Sequence, residues 1–174
     1  MNQFDTITYL KTGNAIQQEV YTVLTKAKVM EKLSGFTPLL TGTYPIAINI
    51  ENSDLDIICE YQDRESFILA LTDNFQSEKD FSINEKLING VHSVIVRFWL
   101  NGFEVEVFGQ AIPVKQQNAY RHMIKEFEIL QAKGEHFKQQ IIDLKRKGIK
   151  TEPTFAMLLD LKGDPYSALL EYSV

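Results

Sequence analysis

One cysteine, Cys59, occurs in 174 residues. It cannot build a disulfide framework within one chain, and a thiol-rich zinc site is excluded with it. A reducing, cytoplasmic setting is therefore expected. Cys59 lies in an apolar run and reads as a small buried hydrophobe. Histidines number three, and His122 has neither a Cys nor a second His at ligand spacing, which removes it from consideration as a zinc ligand. The opening residues, MNQFDTITYLKTG, lack the basic and apolar regions of a secretory signal. No later apolar run approaches the roughly 20 residues of a membrane span, so no membrane partner is expected. Phosphate-loop, dinucleotide-glycine, G-x-S-x-G and H-E-x-x-H motifs are missing as well. Positive charge is also short. A formal net charge of −5 speaks against strong nucleic-acid binding, because that depends on many Lys and Arg releasing counterions from a polyanion.

The pattern that remains is that of a folded domain. After Gly13, the residues Ile16, Val20, Val23, Leu24, Ala27, Met30 and Leu33 recur at helical spacing behind Asn14 and Gln17, which form a capping-box pair. FTPLLTG reads as a short strand beginning near Pro38, and SDLDIICEY as a second strand. Asp63 caps a helix that buries Phe67, Ile68, Leu71 and Phe75. Three strand-like runs follow, separated by Asn89-Gly90 and Asn101-Gly102, dipeptides that favour tight hairpins. A two-residue turn at the second would set Leu100 opposite Phe103, Trp99 opposite Glu104, Phe98 opposite Val105 and Arg97 opposite Glu106. One face of that hairpin is then apolar, while the other carries Arg97, Trp99, Glu104 and Glu106.

Beyond Pro113 the chain turns helical. Tyr120, Met123, Ile124, Phe127 and Leu130 form an apolar stripe, and Arg121, His122 and Lys125 read as a wet face. A second helix runs to Gly148, and two short ones follow, with Thr151 and Asp164 as caps and Pro165 at a first helical position. The order of elements implies an α+β fold, with a core over 1–112 and a helical region over 113–174 packed on it.

The chemistry concentrates in GTYPIAINIENSDLDI, Gly42 to Ile57. Asp54 and Asp56 alternate along an expected strand, so their carboxylates project from one face toward a common point. A divalent cation is the usual remedy for such repulsion. Mg²⁺ typically takes one or two carboxylates plus substrate phosphates and water.

Leu40-Thr41-Gly42-Thr43, then SDLDI, then FEVEVFG resemble, in order and spacing, the DNA polymerase β-type nucleotidyltransferases. PVKQQNAYRHM and KGDPYSALLEY are similar to a bacterial branch of that superfamily. The resemblance implies a mixed, largely antiparallel sheet and transfer of a nucleoside monophosphate from an NTP to a small-molecule or protein acceptor. It implies Mg²⁺ or Mn²⁺ held by Asp54, Asp56 and Glu106, and Gly42 and Thr43 at the triphosphate. Glu104 is an alternative third carboxylate. Glu106 is either a ligand or the cross-strand partner of Arg97, and Arg97 either that partner or a phosphate contact. Ser53 either bonds locally or touches a metal-bound water. Where many members carry a second Gly, this chain has Ala47. That substitution favours a second reading, a non-catalytic nucleotide- or partner-binding module on the same fold. A third is metal-assisted hydrolysis of a phosphate ester.

Overall fold

The computed structural model describes residues 2–174. Five strands form one sheet: β1 (Leu39–Thr41), β2 (Leu55–Glu60), β3 (Lys79–Ile88), β4 (Val91–Leu100) and β5 (Phe103–Gln110), in the order β1-β2-β5-β4-β3. β2 and β5 run parallel, and the other neighbours are antiparallel. A parallel pair needs a long crossover, and the helix α3 (Arg64–Phe75) with the β3–β4 hairpin supplies it.

The second hairpin has the register that a two-residue Asn-Gly turn dictates: Leu100 faces Phe103, Trp99 faces Glu104, and Arg97 faces Glu106. Asn101 and Gly102 both take positive φ, at 47° and 90°, as such a turn requires. Alternation then sends Val96, Phe98, Val105 and Val107 into a core that they share with Leu40, Ile57, α3 and the helix α1 (Ala15–Lys26). Phe75 of α3 stacks on Phe98 with ring centroids 4.7 Å apart.

The opposite face of the sheet is only partly covered. Leu39, Ile48 and Ile58 pack with Met123, Ile129, Ile141 and Phe155 in a second core. Those residues come from α4 (Asn118–Arg146) and α5 (Thr151–Leu158), with α6 (Pro165–Glu171) completing the layer. The β4–β5 end of that face, with Arg97 and Trp99, stays exposed. Asp56 and Glu106 lie where cover gives way to opening.

Capping chemistry accounts for most boundaries. Asn14 and Gln17 form a reciprocal capping box, Asp63 accepts from the Ser66 N–H, and Asp164 accepts from the Ser167 N–H ahead of Pro165. Thr151 departs from its expected role: Lys150 occupies the N-cap position without a side-chain bond, and Thr151 is the first helical residue. The helix after Asn14 is also shorter than its apolar spacing suggests. Lys28 takes φ 56°, which separates α1 from a single turn, α2 (Val29–Lys32). Gly134, with φ 77°, interrupts α4 at the boundary the sequence marks between its two helical runs. Among the described residues, no helix is long and apolar enough to cross a membrane.

Candidate functional site

Thr41 ends β1 opposite Asp56 of β2, and its hydroxyl donates to the Asp56 carbonyl at 3.4 Å. The chain then turns through Gly42, whose φ is +73°. A Cβ on Gly42 would stand 2.1 Å from Asp56 Oδ2. The carboxylate of Asp56 thus rests against bare backbone, in space that any side chain at position 42 would fill. The turn closes through the Ala47 N–H donating to the Tyr44 carbonyl at 3.2 Å and the Ile48 N–H donating to the Thr43 carbonyl at 3.1 Å.

Three side chains fasten this turn. Gln17 of α1 donates to the carbonyls of Tyr44 at 2.8 Å and Pro45 at 3.2 Å. Lys145 of α4 donates to the Ile48 carbonyl at 2.8 Å. The Tyr44 hydroxyl donates to the Ser53 carbonyl at 3.1 Å. Ser53 itself bonds locally, its Oγ accepting from the Ile50 N–H at 2.9 Å.

Ala47 adopts φ 56°, a left-handed conformation that glycine enters freely and an L-residue enters at about 1–2 kcal/mol. The turn geometry therefore survives the alanine. Ala47→Gly is expected to raise stability by about 0.5–1 kcal/mol after the extra freedom of glycine in the unfolded chain is counted. Denaturant unfolding would read this directly, and a loss of stability would show that the turn does not hold this conformation.

Thr41, Gly42, Thr43, Ser53, Asp54 and Asp56 line one side of a cavity of about 480 Å³; His122, Glu126, Lys145 and Glu152 line the other. Asp54 lies just ahead of the first residue of β2, so the pair straddles the strand entry where the sequence reading set both within a strand. Glu106 does not line this cavity. It stands beside Asp56 in the parallel β2–β5 register and faces a neighbouring hollow of about 330 Å³, which Asp56 also borders. Arg97 forms an ion pair with Glu106 across β4 and β5, with both side chains in reach of solvent. Glu104 lines a separate groove near Trp99. Among the described residues, no group of three or more His, Cys, Asp and Glu side chains is arranged to hold a metal ion.

Burial, then the neighbouring Asp54, Glu106 and Glu152 carboxylates, raise the pKa of Asp56 well above the usual range; the Lys145 ammonium acts in the opposite direction. Relief of that repulsion is what a cation would supply, and two carboxylates are a fitting protein contribution to a Mg²⁺ shell completed by phosphates and water.

Several residues here escaped the sequence reading. Glu126 is 3% exposed and Lys145 6% exposed. Burial, reinforced by the Glu152 carboxylate, pushes Glu126 up to about 8. Burial brings Lys145 down to about 8, against the pull of Glu126, Glu152 and the two aspartates. His122 is buried too, not on a wet face: Nε2 lies 3.0 Å from the Tyr166 carbonyl and Nδ1 3.8 Å from a Glu152 oxygen. A signal was present, since Lys145 continues the four-residue spacing of Phe137 and Ile141, and Glu126 sits between the core residues Met123 and Ile129.

Comparison with known proteins is consistent with this geometry at the level of fold. A family model described as a domain of unknown function, DUF4269, matches residues 22–172. Among curated proteins no sequence matches the chain. Solved structures do. The Cid1 poly(U) polymerase with MgGTP bound superposes with a TM-score of 0.53 at 13% identity, covering 74% of this chain and 41% of that one. The polymerase core of TRAMP, an RNA surveillance complex, gives 0.52 at 12% identity, covering 94% and 50%. The chain thus spans half or less of those polymerases. At such identities the likeness establishes a nucleotidyltransferase-like α+β fold.

Proposed function

Because the chain belongs to the DUF4269 family and carries a nucleotidyltransferase-like fold, we propose that it transfers a nucleoside monophosphate from an NTP to a hydroxyl on a small-molecule or protein acceptor. The observation that carries this reading is the cradle at Gly42: backbone without a side chain, at positive φ, against the carboxylate of Asp56 and beside Asp54 in an open cavity. Gly42 and Thr43 would receive the triphosphate, where backbone N–H groups and a hydroxyl can approach phosphate oxygens. Asp54 and Asp56 would hold Mg²⁺ or Mn²⁺, with Glu106 adjoining. Bound there, the cation would neutralise charge on the phosphates during an in-line displacement.

In that displacement the acceptor hydroxyl oxygen bonds to the α-phosphorus. The bond from the α-phosphorus to the bridging oxygen breaks, diphosphate leaves with the electron pair, and the hydroxyl proton passes to water. The contribution of the chain is largely positioning. Gln17 and Lys145 fix the turn that presents Gly42 and Thr43, and the Gly42 backbone fixes where Asp56 can point. The net charge of −5 favours a small-molecule or protein acceptor over a polyanionic one.

A second reading, a nucleotide- or partner-binding module without catalysis, has one observation in its favour. Arg97 engages Glu106, which leaves two carboxylates uncommitted where the resemblance implies three.

One titration separates the two. Thermal unfolding is followed with ATP or GTP and Mg²⁺ or Mn²⁺, for wild type and for the Asp54→Ala, Asp56→Ala double variant. Ligand at about a hundred times its Kd stabilises a folded protein by about 2.7 kcal/mol, so the wild-type midpoint should rise while the double variant stays flat. No shift in wild type at millimolar metal would remove the catalytic reading. Label from the α-phosphate then distinguishes the chemistry: attachment to an acceptor is the expected result, and free monophosphate alone would mean hydrolysis.

A further inference from the structure

Lys145 of α4 lines the cavity of about 480 Å³ with hydrogen-bonding capacity to spare. It is 6% exposed, and an ammonium carries three N–H donors. One donor goes to the Ile48 carbonyl at 2.8 Å, and the ammonium forms no ion pair among the described residues. Two donors are left for the cavity. Buried donors are nearly always satisfied, so these point to acceptors brought in from outside. Their place is set by the turn. The Ile48 N–H donates to the Thr43 carbonyl at 3.1 Å, so the residue that holds Lys145 is bonded directly to one proposed to receive the triphosphate.

Two other cations line the cavity, and neither is placed as Lys145 is. His122 has its ring nitrogens beside the Tyr166 carbonyl and a Glu152 oxygen, and Lys150 lies exposed at the N-cap of α5. Burial lowers Lys145 to about 8, against the pull of Glu126, Glu152, Asp56 and Asp54. A group that gives up a proton during turnover works best when it titrates near the operating pH. Phosphate oxygens beside the ammonium favour its charged form, so the proton is in place when the reaction begins.

We propose that Lys145 is the general acid of the transfer: its ammonium hydrogen-bonds the oxygen that bridges the α- and β-phosphorus and protonates it as diphosphate leaves. This role rests on the nucleotidyl-transfer reading. As the bond from the α-phosphorus to the bridging oxygen breaks, its electron pair takes the proton, and the Nζ–H bond breaks with it. The acceptor hydroxyl proton passes to water, and the neutral amine regains a proton from water. The net products are the nucleotidylated acceptor and a protonated diphosphate, and Lys145 ends as it began.

The test varies the basicity of the leaving group. Its probes are ATP, the β,γ-methylene analogue, whose leaving group is more basic, and the β,γ-difluoromethylene analogue, whose leaving group is less basic. Transfer of the α-phosphate to the acceptors of a cell extract is followed with Mg²⁺ present. In wild type at pH 7 the two analogues should react within about tenfold of each other, because an acid spares the more basic one. Lys145→Arg keeps a charge for the phosphates but cannot release a proton. It should retain thermal stabilisation by Mg²⁺ and ATP, transfer from ATP about a hundredfold more slowly, and widen the gap between the analogues about tenfold. Wild type alone decides if Lys145→Arg fails to fold, since its gap should widen between pH 7 and pH 9.5 as the acid is lost. Glu126, Glu152, Asp54, Asp56, His122 and Lys150 line the same cavity, and Glu126 also titrates near 8. Glu126→Gln is therefore run alongside and should show the same widening. A gap in wild type that stays constant with pH would overturn the acid. So would a Lys145→Arg protein that is slow with the wild-type gap, because a structural loss slows all three nucleotides alike, or one that transfers as wild type does. Absence of transfer by wild type would sink the transfer reading itself, and the acid with it.

Discussion

Gly42→Ala is expected to lose about 2–5 kcal/mol of folding stability and, with it, the stabilisation by metal and nucleotide. Two costs add. An L-residue held at φ +73° costs about 1–2 kcal/mol relative to glycine. The new Cβ, 2.1 Å from Asp56 Oδ2, must also displace that carboxylate, and overpacking of this kind costs typically about 1–3 kcal/mol. Thr41 on β1 and Glu106 on β5 flank Asp56 and hold its backbone in register, so the carboxylate itself must swing away toward one of the two cavities it borders. Guanidinium unfolding would measure the first loss, and the nucleotide titration the second. Ala47→Gly on the same turn carries the opposite expected sign, so the pair separates a conformational effect from general damage to the loop. Wild-type stability together with wild-type nucleotide response in Gly42→Ala would mean that backbone at position 42 does not define the site.

The elements of this fold were legible where one short-range rule decides the outcome. Asn101-Gly102 admits one tight turn, which sets the whole β4–β5 register and brings Arg97 opposite Glu106. Asn14 and Asp63 are each followed by apolar residues at helical spacing and Asp164 by a Pro at the first helical position, and each caps. Lys28 was not legible, because apolar spacing continues through it and only the packing of α2 demands the break. The polar side of the site was half legible. Asp54 and Asp56 announce themselves as neighbours in sequence, and Gly42 by its spacing from them. Glu126, Lys145 and Glu152 come from α4 and α5, and nothing local in sequence says that those helices fold back over the strand ends. A charged residue on an amphipathic helix is ordinarily solvated. The spacing of Lys145 from Phe137 and Ile141 marks it for burial, but its partner, a carbonyl of the Gly42–Ile48 turn, is a long-range fact.

Those buried charges carry the second large expectation: metal-free protein should lose stability as pH rises from about 5 to 8, and Glu126→Gln should lose much less. Glu126 is raised from an ordinary 4.5 to about 8. The folded state therefore holds this proton more tightly than the unfolded chain does. Its stabilising effect is complete below pH 4.5 and is lost as pH climbs through about 8. Asp56, also raised, acts with the same sign. Lys145 is lowered from 10.5 to about 8. Its contribution is complete above pH 10.5 and is lost as pH falls through about 8, so it adds little slope between 5 and 7. Near pH 8 an ionised Glu126 and a charged Lys145 share a poorly solvated space, and their attraction offsets part of the penalty. Glu126→Gln removes the costlier charge and is expected to stabilise the protein at pH 8 by about 2–3 kcal/mol, discounted from the full shift for that attraction and for relaxation. For a chain of this length that is about 4–12 °C in Tm, against little change at pH 5. Melting curves of both proteins at pH 5, 6.5 and 8 decide the matter. Parallel pH profiles would mean that Glu126 is ionised in the folded state throughout, and that the charge balance over Asp56 is set elsewhere.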